Sequence, residues 1–261
     1  MKENNKILVN KSSEIIDLNE KYAGSAGFFV ENSSEPCEIR LLNISSVSEI
    51  HFEISDNVNL KINFIIDDKN VKTKFTANVG ENSILSVNCI DFSFENSNFV
   101  GIIDLNKPNA SANWNTSCLN MKDYKKSFNI SFNHNVPQTY SKLCNYGVCT
   151  GSSNLVFDGV SYIKKDCSKS TANQIAKIIL YNEECRAKAS PVLRIDNEDI
   201  SASHGAAVGT LNEDHMFYLL SRGISEKEAK NLITFGYLKP VFAAFNEKEQ
   251  EELTNLLAER I

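Results

Sequence analysis

The chain of 261 residues has no excess of basic charge: 27 Lys and Arg stand against 33 Asp and Glu, leaving a net charge of −6. Neutralising a phosphate backbone needs clustered Lys and Arg, so binding of nucleic acid through general positive charge is disfavoured. The start MKENNKILVNKSSEIIDLNE holds no apolar run long enough for a signal peptide or a membrane span, and a cytoplasmic protein that does not touch a membrane is expected. Seven cysteines (37, 89, 118, 144, 149, 167 and 185) form no CxxC pair. That removes the usual zinc spacing and leaves packed thiols as the ordinary reading. Also missing are the phosphate-cradling GxxxxGK(S/T) and GxGxxG loops, the GxSxG nucleophile turn and the HExxH helix. The chain is therefore expected to bind no nucleotide itself.

What is present is alternation. KINFIID around Ile62, Phe64 and Ile66, SILSVNCIDFSF around Leu85, Val87 and Cys89, and SFNISFNH around Phe128, Ile130 and Phe132 each repeat with period two. With β-branched and aromatic residues in these runs, the region from about Glu38 to Ile195 reads as many short strands. The turns are marked by DDKN, NVGEN and GSSN, with Asp67–Asp68 given a turn role. A sandwich, a barrel and a β-solenoid all fit, and no fixed repeat singles out the solenoid.

After Gly209 the pattern changes. Thr210 with Glu213, Ser225 with Glu228 and Asn246 with Glu249 have the spacing of a capping box, in which two side chains satisfy free N–H groups at a helix start. Three helices are expected: about Leu211–Arg222 ending at Gly223, a second ending at Phe235 before Gly236, and about Glu247–Glu259. The organisation expected is a polar leader with first strands (1–37), a β core (38–209) and a helical subdomain (210–261). Such a tail either pads the β body or docks a partner.

Of the four histidines, His51 has no carboxylate or thiol at a recognisable spacing, and His215 reads as a solvated helix residue. His204 differs. It closes the run VLRIDNEDISAS between Ala202-Ser203 and Gly205-Ala206-Ala207, where nothing bulky shields the ring. Cys185, beside Glu183 and Glu184, lies one strand earlier. If the strands are neighbours, imidazole, thiol and carboxylates share a surface suited to iron or zinc.

Three segments carry a family resemblance: HNVPQTYSKLCNYGVCTGSSNLVFDG, with His134, Pro137 and Ser141; FDGVSYIKKDCSKSTANQIAKIILYNEE; and PVLRIDNEDISASHGAAVGTLNEDHMFYLLSRGISEKEAKNLITFGYLKPVF. They resemble the SufB/SufD family of iron–sulfur cluster assembly proteins, from about Leu85 to the end and most closely over Phe157–Phe242. The resemblance implies a right-handed parallel β-helix with a C-terminal α-helical subdomain. It also implies a scaffold subunit of a SufBCD-type complex that is itself no enzyme and has no catalytic residue, pairing as a dimer with itself or a SufB-like subunit and binding a SufC-like ATPase. A transient iron–sulfur cluster is the implied cargo.

Carried over by position, His204 is the cluster-assembly and metal candidate, with Cys185 on a second cysteine of SufB-like chains. Ala176 stands where SufB-like chains carry an essential cysteine, and Gly205 follows the histidine as in SufD-like chains. The partner-binding surface is assigned to Leu211, Met216, Phe217, Leu220, Phe235 and Phe242. Two other roles remain open: a structural partner of a SufB-like subunit that binds no iron, and a β-helix enzyme acting on polysaccharide.

Overall fold

The structure, a computed structural model, describes residues 6–9, 12–19, 22, 24–31, 35–66, 69–211 and 213–261; the Asp67–Asp68 turn lies outside the described residues. Among the described residues, sixteen strands lead into three helices. They are β1 (Lys6–Val9), β2 (Ser13–Asp17), β3 (Gly24–Val30), β4 (Cys37–Leu42), β5 (Val47–Ile54), β6 (Asn59–Ile66), β7 (Val71–Val79) and β8 (Ile84–Asp91). Then come β9 (Ser97–Leu105), β10 (Ser111–Asn120), β11 (Lys125–His134), β12 (Tyr140–Cys149), β13 (Asn154–Ile163), β14 (Ser170–Leu180), β15 (Arg186–Ile195) and β16 (Ile200–Thr210). Helices α1 (Glu213–Ser221), α2 (Glu226–Leu238) and α3 (Glu247–Arg260) follow, with a 3₁₀ segment at Lys239–Ala244.

Odd strands form one eight-stranded sheet and even strands another, in strict succession. Every pairing joins a strand to the next but one and is parallel, as in Glu49↔Lys74 and Asn88↔Asn115. The chain therefore winds as a parallel β-solenoid, each coil laying one strand on each sheet. The coil lengthens along the chain: Lys6 pairs with Gly27, 21 residues on, whereas Asn154 pairs with Arg186, 32 residues on.

Period-two alternation sends one set of side chains inside. There the rings of Phe28, Phe52, Phe75, Trp114, Phe99, Phe128 and Phe157 run through successive coils with centroids 4.5–6.5 Å apart. All seven cysteines are buried and none is in a disulfide. Burial pushes the Cys89 and Cys118 thiols well above their ordinary value and Cys149 up to about 12, so these thiols stay protonated.

Asparagine holds the coils in register. Asn115 donates to Asn88 (2.8 Å), Asn88 to Asn63 (2.8 Å) and Asn63 to the Glu38 carboxylate (2.9 Å). A second ladder runs from Asn135 to Asn106 (2.7 Å), Asn78 (3.3 Å) and Glu53 (2.8 Å). Each ends on a charged acceptor, the stronger kind of hydrogen bond. At one corner Asn57, Asn82 and Asn109 take left-handed backbone (φ 61°, 54° and 58°), which asparagine tolerates better than most residues.

The tail corrects two helix expectations. Thr210 is the last residue of β16 and α1 begins at Glu213, so the two are not a cap and its third helical residue. The boxes Ser225/Glu228 and Asn246/Glu249 form as expected. Gly223 (φ 82°) ends the first helix: its N–H reaches the Leu220 carbonyl, and the Ile224 N–H the Leu219 carbonyl. Gly236 does not stop α2, which continues to Leu238 until Pro240 opens the 3₁₀ segment. A glycine inside a helix costs about 1 kcal/mol, less than packing against the body returns.

That packing is extensive. Leu238, Val241, Phe242, Phe245, Leu253 and Leu257 join Ile90, Phe92, Leu119, Met121 and Val148 on the outer face of the even-numbered sheet. Ser117 Oγ donates to the Leu238 carbonyl (3.1 Å), Lys61 Nζ to the Ala244 carbonyl (3.1 Å), and Arg40 pairs with Glu249 (2.9 Å). By contrast, α1 buries no residue. Among the described residues no helix is long and apolar enough to cross a membrane.

Candidate functional site

The last coil has no successor. β15 and β16 are the edges of their sheets at this end, and their outward N–H and C=O groups meet no further strand. The run VLRIDNEDISAS is not one strand, as read from the sequence. It is the end of β15 and the start of β16, on opposite sheets. The turn between them is set by Asn197, whose Oδ1 accepts from the Asp199 N–H (2.9 Å) and whose amide donates to the Lys165 carbonyl. Asparagine and aspartate were the turn signal within that run.

His204 consequently sits mid-strand in β16. It pairs with Gln174 of β14, a buried inward residue, so the imidazole lies on the inner row. With no coil above, it is nonetheless exposed. Nδ1 lies 2.9 Å from the Pro191 carbonyl of β15. A carbonyl only accepts, so Nδ1 carries a proton, and in the neutral ring Nε2 then keeps its lone pair. A neutral imidazole anchored this way is a competent metal ligand. A Cβ built on Gly205 or Gly209 would meet nothing within 4 Å, leaving the strand's surroundings open. Proline suits this edge strand, where a missing N–H costs no ladder bond.

Cys185 is not brought to that surface. It is 3% exposed, packs in the main core, and donates from Sγ to the Gly151 carbonyl (3.3 Å). It precedes Pro191 by six residues, about 20 Å of extended chain, while Glu183 and Glu184 face solvent. Among the described residues no group of three or more His, Cys, Asp and Glu converges. Ala176 lies on the inner row beside Ala206.

The other histidines have definite partners. His51 Nδ1 meets Thr76 Oγ1 (2.8 Å) and Nε2 meets Glu53 (3.4 Å), a carboxylate two residues on and thus on the same strand face. Sequence reading overlooked that neighbour because it looked for metal-ligand spacings rather than strand geometry. His134 is fully buried between Thr139 Oγ1 (2.7 Å) and Ser141 Oγ (2.8 Å), and burial lowers its pKa to about 4.

The six residues assigned to partner binding divide. Phe242 is 1% exposed against Phe92, and Phe235 is half-buried against the same cluster, so both hold the tail to the body. Leu211 and Met216 are half-buried, while Phe217 (74% exposed) and Leu220 face outward with Tyr218 and Leu232. A cleft of about 510 Å³ lies between this apolar helix pair and β16, lined by Val208, Leu211, His215, Ile233 and Tyr237.

Gln174 escaped the sequence reading. Its signal was there: a polar side chain at an inner position of the alternating run Ala172, Gln174, Ala176, Ile178.

The family model of the SufBD core domain, for FeS cluster assembly in the SUF system, matches residues 45–237, about three quarters of the chain. The match begins upstream of Leu85, where the resemblance was first legible. The iron–sulfur cluster assembly protein SufD of Bacillus subtilis is 38% identical over 96 residues, which cover 37% of this chain and 22% of that protein. A SufBD family protein of Staphylococcus saprophyticus is 28% identical over 107 residues, covering 41% and 23%. The chain thus spans under a quarter of the length of these curated relatives in the matched stretches.

Proposed function

The chain belongs to the SufBD family of iron–sulfur cluster assembly proteins, and on that premise we propose that it is a non-catalytic scaffold subunit presenting His204 at a subunit interface. The observation that carries this reading is the unfinished last coil: two edge strands with unmet backbone groups, and between them an imidazole whose Nδ1 is tied to Pro191 while Nε2 is free to bind. Another strand pair, from a second copy or a SufB-like subunit, would complete the ladders. Iron and sulfide are the cargo. One copy offers one accessible ligand, so the remaining ligands come from the partner subunit.

A SufC-like ATPase is the proposed occupant of the α1–α2 surface. Phe217, Tyr218, Leu220 and Leu232 make an exposed apolar patch there, which favours a partner. The padding role falls instead to α2's inner face, the 3₁₀ segment and α3.

The buried position of Cys185 favours one second reading, a structural partner that does not touch iron. Anaerobic reconstitution of the complex with iron and sulfide separates the two. Loss of cluster absorbance in His204→Ala, with assembly intact by size exclusion, supports the first; equal loading supports the second. For the ATPase surface, Phe217→Glu with Leu220→Glu should abolish co-purification without changing the unfolding midpoint of the isolated chain. Retained association would sink that assignment.

A further inference from the structure

We propose that Gln174 is a positioning residue for His204, holding β15 so that the Pro191 carbonyl selects the Nδ1–H tautomer. Gln174 lies one coil beneath His204, in direct register, and is 1% exposed. Its amide nitrogen donates to Ser161 Oγ (2.8 Å) on β13 and to the Val192 carbonyl (3.1 Å) on β15. Because a carbonyl cannot donate, the amide orientation is fixed by Val192. Two consecutive residues of β15 are thus held from the facing sheet: Val192 by Gln174 from below and Pro191 by His204 at the rim.

The arrangement is made for a polar group. Gln174 Oε1 is buried with no hydrogen-bond partner, and it lies over Gly159, where a Cβ would come within 2.6 Å of it. An unpartnered buried carbonyl is costly, typically about 1–3 kcal/mol, and an aliphatic side chain would fill the same space without that cost. The cost is accounted for by what the other end of the amide does. β15 has a strand neighbour on one side only, so its carbonyls at the rim have no strand beyond them to fix their position. A tie across the interior keeps them where His204 needs them. Groups that orient a histidine in this way set which ring nitrogen can bind a metal.

The inference rests on reading His204 as a ligand, and its test keeps the two apart. The ¹⁵N-labelled chain is examined by long-range imidazole N–H correlation, which reports the His204 tautomer directly. Wild type should show Nδ1–H alone; Gln174→Leu and the size-matched Gln174→Met should both show a mixture of tautomers. Folding of each is checked by Trp114 fluorescence, and if the Leu variant does not fold the Met variant decides. A single Nδ1–H tautomer in a folded variant overturns the proposal. Separately, Co²⁺ is titrated and paramagnetic broadening of the Gly205 amide is followed. Apparent affinity should fall about 10–100-fold in the Gln174 variants and broadening should vanish in His204→Gln. Broadening that survives His204→Gln removes the ligand reading, while the tautomer result still decides the role of Gln174.

Discussion

Acid should destabilise this protein through one histidine. His134 is fully enclosed, and a neutral ring satisfies both of its contacts, Thr139 Oγ1 and Ser141 Oγ, with one nitrogen donating to a hydroxyl and the other accepting from one. Thr139 can pass its own proton to the Val136 carbonyl (3.3 Å) or to Ser170 (3.0 Å). A protonated ring would need two acceptors and would lie uncompensated in the core, which is why burial lowers its pKa from 6.5 to about 4. Below pH 6.5 the unfolded chain takes up a proton that the folded chain refuses until near pH 4. Stability is therefore complete above pH 6.5 and falls as pH drops through that window. At about 1.4 kcal/mol for each pH step between the two values, the loss is about 2.5 kcal/mol at pH 4.5 and levels off below pH 4. The assay is urea unfolding followed through Trp114, the single and fully buried tryptophan, at pH 7.5 and 4.5, in wild type and His134→Asn. Carboxylates titrate equally in both, so the difference between the proteins isolates the histidine. Parallel losses in the two would refute the argument.

Three further outcomes are expected. Lys126 and Asp91 form an ion pair with no exposure, Nζ to Oδ1 2.6 Å, with Nζ also held by the Ser93 and Leu119 carbonyls. Lys126→Met should cost about 3–5 kcal/mol by stranding a carboxylate, and Asp91→Leu in the same chain should recover most of it, as read in a double-mutant cycle of urea unfolding. Asn88→Ala breaks the buried ladder on both sides and should destabilise by about 1–3 kcal/mol, whereas Asn82→Ala at the exposed corner should cost less. Gly159→Ala places a methyl group 2.5 Å from Leu143 Cδ2 and 2.6 Å from Gln174 Oε1. A thermal midpoint within a degree of wild type would show that β13 and β14 move apart more freely than this packing allows.

The strands themselves were legible, because inside-outside alternation is strong in residues such as Phe128, Ile130 and Phe132. Their stacking was not. A solenoid announces itself by a repeat, and here the coil grows from 21 to 32 residues between Lys6–Gly27 and Asn154–Arg186. The strands themselves lengthen from four residues in β1 to eleven in β16, and at Gly24/Ser25 the register shifts within a paired strand, so no constant period survives. The abundance of asparagine was visible as composition, but its meaning depended on register. Asn63, Asn88 and Asn115 lie about one coil apart and become a ladder only once the coils are stacked. Resemblance supplied what periodicity could not, and it did so from the C-terminal coils, where the matched motifs lie.

The same division explains the site. His204 could be chosen from sequence because small residues surround it, and small residues leave an imidazole uncovered whatever the fold. Cys185 was chosen by proximity along the chain, a guide that fails in a solenoid. Residues several positions apart along one strand are carried well apart, while residues about 30 apart touch across neighbouring coils. The true neighbours of His204 are Gln174 and Pro191, 30 and 13 residues away. Because they belong to the last two coils, the ring's anchoring depends on how the solenoid ends. A partner that continued the sheets would meet backbone groups whose positions are already set, and it would meet an imidazole whose free nitrogen was chosen before it arrived.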